Sequence, residues 1–133
     1  FEVKIDYQIE DPIKIIDLGE TSCLSLSRIL DEKKVFNVLA IDERTIRMLV
    51  EKPENLNKLL SNKLNTSIKS NRDNFKLFSG FKIIRSSELV YIAFKNNLVN
   101  LKNGSVLDAL LYAVKFKGCS ISEDEIKEIE RMA

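Results

Sequence analysis

Hydrophobic and polar positions change their spacing several times along this chain. Residues 1–9 (FEVKIDYQI) alternate between apolar and polar side chains, which is typical of a half-buried β-strand. Residues 20–30 place apolar side chains at helical spacing and predict an α-helix. The apolar contacts of this helix are predicted at Leu26, Ile29 and Leu30. Residues 35–41 (VFNVLAI) form a nearly continuous apolar run, as in a strand covered on both faces of a parallel sheet.

The rest of the chain continues this alternation of strands and helices. Residues 65–80 are polar and predict a loop or mobile insertion, while residues 81–84 predict a short strand. Further helices are predicted over residues 44–50, 54–64 and 86–97, over a segment that residues 104–105 open and Gly118 ends, and from Ser122 towards Met132. This order predicts an α/β domain. No stretch approaches the roughly 20 apolar residues that cross a bilayer.

The composition of this chain of 133 residues excludes several kinds of catalytic and structural site. The charges nearly balance, with 21 Lys and Arg against 20 Asp and Glu, so any polyanion site must be a local patch. The absence of histidine removes the usual general base near neutral pH and every Ser-His or Cys-His nucleophile pair. Cys23 and Cys119 are too few for a disulfide framework. We therefore expect a reduced, cytoplasmic protein in which both cysteines fill the core.

Two acidic residues stand where the fold could bind a metal ion. Glu20 opens the first predicted helix, and Asp42 follows the apolar strand, at the carboxyl end where open α/β sheets hold ligands. If the fold brings them together, their oxygens could share a divalent cation that activates water against a phosphodiester. The alternative is structural. Glu20 would favour the positive end of its helix and Asp42 would be an N-cap, each contributing about 1 kcal/mol.

The order of several short motifs resembles the PIN-domain family, in particular its archaeal and bacterial branch with a Gly-Glu motif. Leu-Gly-Glu at positions 18–20 opens a helix of small and aliphatic residues, and Ile-Asp-Glu-Arg at positions 41–44 ends a strand. Ile-Arg-Ser at positions 84–86 then leads into Ala-Phe-Lys-Asn-Asn-Leu-Val at positions 93–99, a looser match. The resemblance covers most of the chain except about residues 51–80, which look like an inserted helix and basic loop.

The resemblance implies a three-layer α/β fold, with a mostly parallel sheet flanked by helices, in one domain over residues 1–133. Members of the family are largely Mg²⁺- or Mn²⁺-dependent ribonucleases, so it implies an RNA endonuclease with Glu20 and Asp42 as the second and third metal-binding, catalytic acids. A fourth acid would be Glu43 or Glu88. The first would lie on a strand upstream, and only 19 residues precede Glu20. We therefore expect an N-terminally incomplete domain that is weakly active or inactive alone.

The predicted insertion is basic. Residues 51–82 carry seven basic and three acidic side chains, a net charge of +4, whereas residues 1–20 have a net charge of −4. This asymmetry would let a basic segment hold a phosphate backbone beside an acidic metal site. The candidate nucleic-acid contacts are Arg44, Lys69, Arg72 and Lys76. A solvated lysine-rich loop is an equal alternative, and Arg44 would then face solvent or pair with a neighbouring acid.

An alternative interpretation retains the predicted fold but assigns no catalytic activity to it. In it the chain is a degenerate, non-catalytic PIN-like module that binds RNA or protein. The partners expected under one interpretation or the other are RNA, a second copy of the chain or an antitoxin-like protein, with no membrane. Four aromatic residues at helical spacing are expected in the core rather than in base stacking: Tyr91, Phe94, Tyr112 and Phe116.

Overall fold

A computed structural model describes residues 5–6, 14–65, 67–70, 72–101, 103 and 105–133, which form four short strands and seven α-helices. In chain order these elements are β1 (Ile5–Asp6), α1 (Leu18–Glu32), β2 (Leu39–Ala40), α2 (Arg44–Glu51), α3 (Glu54–Leu64), β3 (Lys69–Ser70), α4 (Arg72–Phe75), a 3-10 turn (Lys76–Phe78), β4 (Ile83–Ile84), α5 (Ser86–Lys95), α6 (Val106–Phe116) and α7 (Glu123–Met132). Most of the strand predicted at residues 1–9 lies outside the described residues.

The chain divides into two compact units. Unit 1 comprises Phe1–Leu39 and Arg44–Ile83, and unit 2 comprises Ala40–Glu43 and Ile84–Ala133. The chain therefore passes from unit 1 to unit 2 and back at residues 40–43, and crosses for the last time at residue 84. A single domain over residues 1–133, with an insertion at 51–80, stays a prediction.

The strands form two small ladders rather than a broad sheet. β1 pairs with β3 in antiparallel orientation, and β2 pairs with β4. Leu39 N donates to Lys82 O at 2.8 Å, and Ile41 N donates to Ile84 O at 3.0 Å. From the first bond to the second, the donor moves two residues along β2 and the acceptor moves two residues along β4 in the same direction, so the two strands are parallel.

The predicted three-layer fold with a mostly parallel sheet is therefore wrong, because the described chain is mainly helical and its parallel sheet has only two strands. The apolar run over residues 35–41 shows the physical reason. Only Leu39–Ala40 is a strand, and Val35, Phe36 and Val38 are 47%, 75% and 44% exposed. A parallel strand with a continuous apolar sequence is stable when both faces are covered. Here most of the run is uncovered.

Helix α1 buries a different face from the one that its largest apolar residues predict. Leu24 and Ser27 are buried, whereas the predicted contacts Leu26 and Ile29 are 58% and 47% exposed. The Ser27 hydroxyl donates to the side-chain oxygen of Asn37, so its donor is satisfied despite burial.

The segment at residues 65–80, predicted as a loop, is more ordered than its polar sequence indicated. It contains β3, α4 and the 3-10 turn, and Phe78 is only 1% exposed. The guanidinium of Arg28, on α1, donates to Leu77 O at 3.0 Å and to Ser79 O at 3.2 Å. One buried aromatic side chain and one long-range arginine therefore fix the end of the segment within unit 1.

Unit 2 is a helical core built by α5, α6 and α7. Its buried cluster consists of Leu107, Leu111, Cys119, Ile121, Ile126 and Ile129. Three of the aromatic residues predicted as core, Tyr91, Phe94 and Tyr112, pack against it. Phe116 is 83% exposed, so its predicted core position is wrong. Helix α6 ends before Gly118, whose φ of +112° is the left-handed stop that the sequence predicted.

Candidate functional site

Asp42 lies directly beyond the parallel β2–β4 pair and links it to helix α5 inside unit 2. Its carboxylate accepts a hydrogen bond from Ser86 N at 2.8 Å and another from Ser86 Oγ at 2.6 Å. Because Ser86 is the first residue of α5, Asp42 satisfies one of the backbone donors that every helix start leaves unpaired. Arg85 is the N-cap of α5, so Asp42 supports the start of a helix 44 positions away rather than serving as the N-cap considered for it.

A buried thiol adjoins the same carboxylate. Cys119 is 4% exposed, and the neighbouring Ser120 N donates to Asp42 O at 3.4 Å. Burial raises the pKa of the Cys119 thiol, and the hydrogen bond and charge of Asp42 raise it further against the opposing effect of Ser87. A protonated, buried thiol is a poor nucleophile and a poor metal ligand. Cys119 thus fills the core as predicted, whereas Cys23 is exposed and its predicted core position is wrong.

Glu20 lies in the first turn of α1, in unit 1. Its carboxylate accepts a hydrogen bond from Asp17 N at 2.9 Å, the reach back to the N-cap that a capping box makes. An acid in the first turn also complements the positive end of the helix. The structural role considered for Glu20 is thus observed, and a carboxylate that accepts one hydrogen bond still has acceptor capacity for a ligand.

The acids of the predicted metal site are divided between the two units. No group of three or more His, Cys, Asp or Glu side chains that could hold a metal ion occurs among them. Glu20 belongs to unit 1, while Asp42 and Glu43 belong to unit 2. The oxygens of Asp42 and Ser86 fit Mg²⁺ or Mn²⁺ in kind, since both ions prefer hard oxygen ligands. Mg²⁺ is usually bound through one or two carboxylates, with water completing its shell, so Asp42 would supply one of them. The meeting of Glu20 with Asp42 stays a prediction.

The candidate basic residues have different surroundings within unit 1. Lys76 pairs with Asp73 at 3.2 Å, with both side chains more than 80% exposed, so the pair contributes at most about 1 kcal/mol. Arg72 is exposed on α4. Lys69 pairs through its backbone with Asp6 of β1. Their contact with nucleic acid stays a prediction.

Arg44 lines a surface cavity. The cavity has a volume of about 200 Å³ and is lined by Arg44, Arg47, Met48, Glu51, Lys52 and Asn55. All six residues belong to unit 1. Lys52 also lines this cavity, although the sequence motifs did not indicate it as a nucleic-acid contact. The signal that could have found it is the spacing of basic residues at positions 44, 47 and 52 across the end of α2.

Arg85 connects α5 with α7 in unit 2, a link that was not predicted. Its guanidinium donates to Glu125 Oε1 at 2.8 Å and to Glu88 Oε1 at 3.3 Å, and its side chain is 14% exposed. Burial opposes the charge of Arg85, but the two carboxylates outweigh it and raise the Arg85 pKa. Burial likewise opposes ionisation of Glu125, but hydrogen bonds from Ser122 and Arg85 lower its pKa. Glu88, considered as a fourth metal ligand, thus has a partner in Arg85.

Comparison of the sequence with protein-family models finds no match. Comparisons with curated proteins and with solved structures find none either. The resemblance to the PIN-domain family therefore rests on the motifs in the sequence alone. No helix in the described part of the chain is long and apolar enough to cross a membrane.

Proposed function

We propose that this chain carries part of the catalytic site of a divalent-metal-dependent RNA endonuclease of the PIN-like class, and that alone it is weakly active or inactive. The observation that supports the proposal is the position of Asp42. It follows the carboxyl end of a parallel strand pair, and two hydrogen bonds from Ser86 hold its carboxylate in place. Ligand sites of open parallel sheets form at this end, from residues that follow the strands.

In such an enzyme the acids of this chain would bind the cation and orient it. Asp42 and Glu20 would supply carboxylate oxygens, with Glu43 beside Asp42 as a further ligand. When bound, Mg²⁺ or Mn²⁺ activates water and neutralises the charge that develops on the phosphoryl oxygens. The proposal does not need the three-layer fold, because it concerns the chemistry of these residues. It does need at least one more acid besides Glu20 and Asp42, and Glu43 is the candidate for that role.

A second candidate function is an RNA- or protein-binding module without catalysis. It is favoured by the present partners of the two acids, because Asp42 holds the start of α5 and Glu20 holds the start of α1. Under either candidate, RNA, a second copy of the chain and an antitoxin-like protein stay proposed partners. Cys23 and Cys119 are both free, as in a reducing compartment, so we also propose a cytoplasmic location.

Calorimetric titration with Mn²⁺ separates the two candidates. The longest natural form of the protein is titrated in a reducing buffer, beside its Glu20→Gln and Asp42→Asn variants. Both substitutions preserve side-chain size, and the amide oxygen introduced by Asp42→Asn can still accept from Ser86 N, so the fold should persist. Asp73→Asn is the matched control, because the Asp73 side chain is 83% exposed and lies in unit 1.

We expect Mn²⁺ binding in the parent protein and the control, and its loss in both test variants. Cleavage of a fluorescent single-stranded RNA should depend on Mn²⁺ and on the same two residues. Binding that survives both substitutions would remove Glu20 and Asp42 from the site. An RNA that is bound but not cut in Mn²⁺ would favour the non-catalytic module.

A further inference from the structure

A basic cavity follows one side of helix α2 into the first turn of α3. Its lining residues recur at intervals of three or four along the sequence, so they share one face of the α2–α3 segment. Of these, Arg44 and Lys52 are exposed and lie at the two ends of α2, with Arg47 between them and half-buried. The cavity belongs to unit 1, whereas Asp42 and Ser86 belong to unit 2.

The charges and the size of the cavity restrict what it can bind. Three cationic side chains, Arg44, Arg47 and Lys52, line it against one acid, Glu51. Pockets for whole small molecules usually measure about 300–1,000 Å³, and this cavity measures about 200 Å³. It therefore suits a single anionic group rather than a complete cofactor. The amide of Asn55 adds a neutral hydrogen-bond donor at the same place.

We propose that this cavity binds a phosphate group of an RNA backbone. Arginine presents a planar fork of donors that matches two phosphate oxygens, and lysine adds a point charge. Contacts of this kind fix position along a strand and do not read its sequence. Recognition of phosphate follows from the cavity itself. The choice of RNA as the source of that phosphate rests on the proposed function.

The test compares two double variants that remove the same charge. Arg44→Gln with Lys52→Gln removes two cations from the cavity. Lys58→Gln with Lys63→Gln removes two exposed cations of α3 that do not line it. All four positions are exposed, so each double variant should fold, which circular dichroism checks. Arg47 is left unchanged because it is partly buried.

Fluorescence anisotropy then measures the affinity for a single-stranded RNA oligonucleotide between about 50 and 200 mM KCl, in EDTA. Each lost phosphate contact lowers the slope of log K against log salt by about 0.7 for a single strand. Because the cavity holds one phosphate, we expect the slope to fall in magnitude by about 0.7 in the cavity variant and to stay unchanged in the control. One such contact corresponds to a roughly threefold loss of affinity over this salt range.

Equal losses in the two double variants would overturn the proposal, because they would indicate diffuse attraction by net charge. Failure of RNA to bind the parent chain at about 50 mM KCl would also overturn it. A parallel titration with inorganic phosphate identifies the source of the anion. Phosphate binding that requires Arg44 and Lys52, without RNA binding, would support an anion cavity and overturn its assignment to RNA.

The measurement is made without divalent metal, so it is independent of the nuclease proposal. Cavity-dependent RNA binding in a protein that takes up no Mn²⁺ would contradict the nuclease and support this inference. Mn²⁺ uptake through Glu20 and Asp42, together with an RNA affinity that is the same in the parent chain and the cavity variant, would contradict this inference alone.

Discussion

Replacing Asp42 with alanine should destabilise unit 2 by about 2–4 kcal/mol. The substitution removes two hydrogen bonds to a charged acceptor, at 2.8 and 2.6 Å, and each bond of this type contributes about 1.5–3 kcal/mol. Asp42 is only half-buried, so water can replace part of that interaction. The start of α5 also loses a backbone acceptor, a change that costs about 1 kcal/mol at typical helix starts.

Two milder variants measure separately how much of this loss comes from the charge of Asp42 and how much from the hydroxyl bond of Ser86. Asp42→Asn keeps one acceptor for Ser86 N and loses the charge, so we expect a cost of about 1 kcal/mol. Ser86→Ala removes only the hydroxyl bond and should also cost about 1 kcal/mol. Combining Asp42→Ala with Ser86→Ala should cost less than the sum of the single variants, because both remove the same bond. A coupling energy of about 1 kcal/mol is expected for such a contact.

Urea unfolding followed by circular dichroism measures these differences. With a slope of about 2 kcal/mol per M, a loss of about 3 kcal/mol lowers the midpoint by about 1.5 M. Hydrogen exchange at the Ser86 amide reports the same contact locally and should accelerate in Asp42→Ala. Asp73→Ala is the control, since that side chain is 83% exposed. A midpoint shift in Asp42→Ala no larger than the shift in the control would refute this role of Asp42.

Two further predictions concern pH and backbone conformation. The pKa of Glu125 is lowered in the folded chain, so its contribution to stability is present above its ordinary value of 4.5 and is lost as pH falls through the folded value. Urea midpoints should therefore fall less between about pH 7 and pH 3 in Glu125→Gln than in the parent or in exposed Glu128→Gln. Equal falls would contradict the lowered pKa of Glu125. Gly118→Ala should lose about 1–3 kcal/mol in thermal unfolding, because φ is +112° there. The same change at Gly19, inside α1 with no atom within 4 Å of the added carbon, should gain about 0.5–1 kcal/mol, and similar effects at both glycines would refute the backbone argument.

Helices with complete local signals were predictable. The leucine spacing of residues 54–64 predicted α3, and the structure has Glu54–Leu64. Ser122 and Glu125 predicted the start of α7, and both hydrogen bonds of their capping box are present, at 3.2 and 2.8 Å. These signals depend on residues within one or two turns of each other, so the chain supplies them without help from its fold.

Strand partners and buried faces were not predictable in the same way. The run at residues 35–41 has the composition of a buried strand, yet Phe36 within it is 75% exposed. An apolar sequence shows that burial would be favourable, but it does not supply the neighbouring strands that would cover it. The same limit applies to α1, where Leu24 and Ser27 are buried in place of larger apolar neighbours.

The candidate site shows the same division between local and distant information. The sequence by itself determined that an acid follows an apolar strand, that a serine opens a later helix, and that basic residues cluster around α2. Only the tertiary structure decided that Asp42 holds Ser86, because 44 residues of chain separate them and no local rule relates their positions. The grouping of Arg44, Arg47 and Lys52 is local by contrast, because their spacing places them on one face of α2 and the turn after it. A hydrogen bond like that between Asp42 and Ser86 forms when packing brings distant groups within about 3–4 Å, and packing is a property of the whole chain.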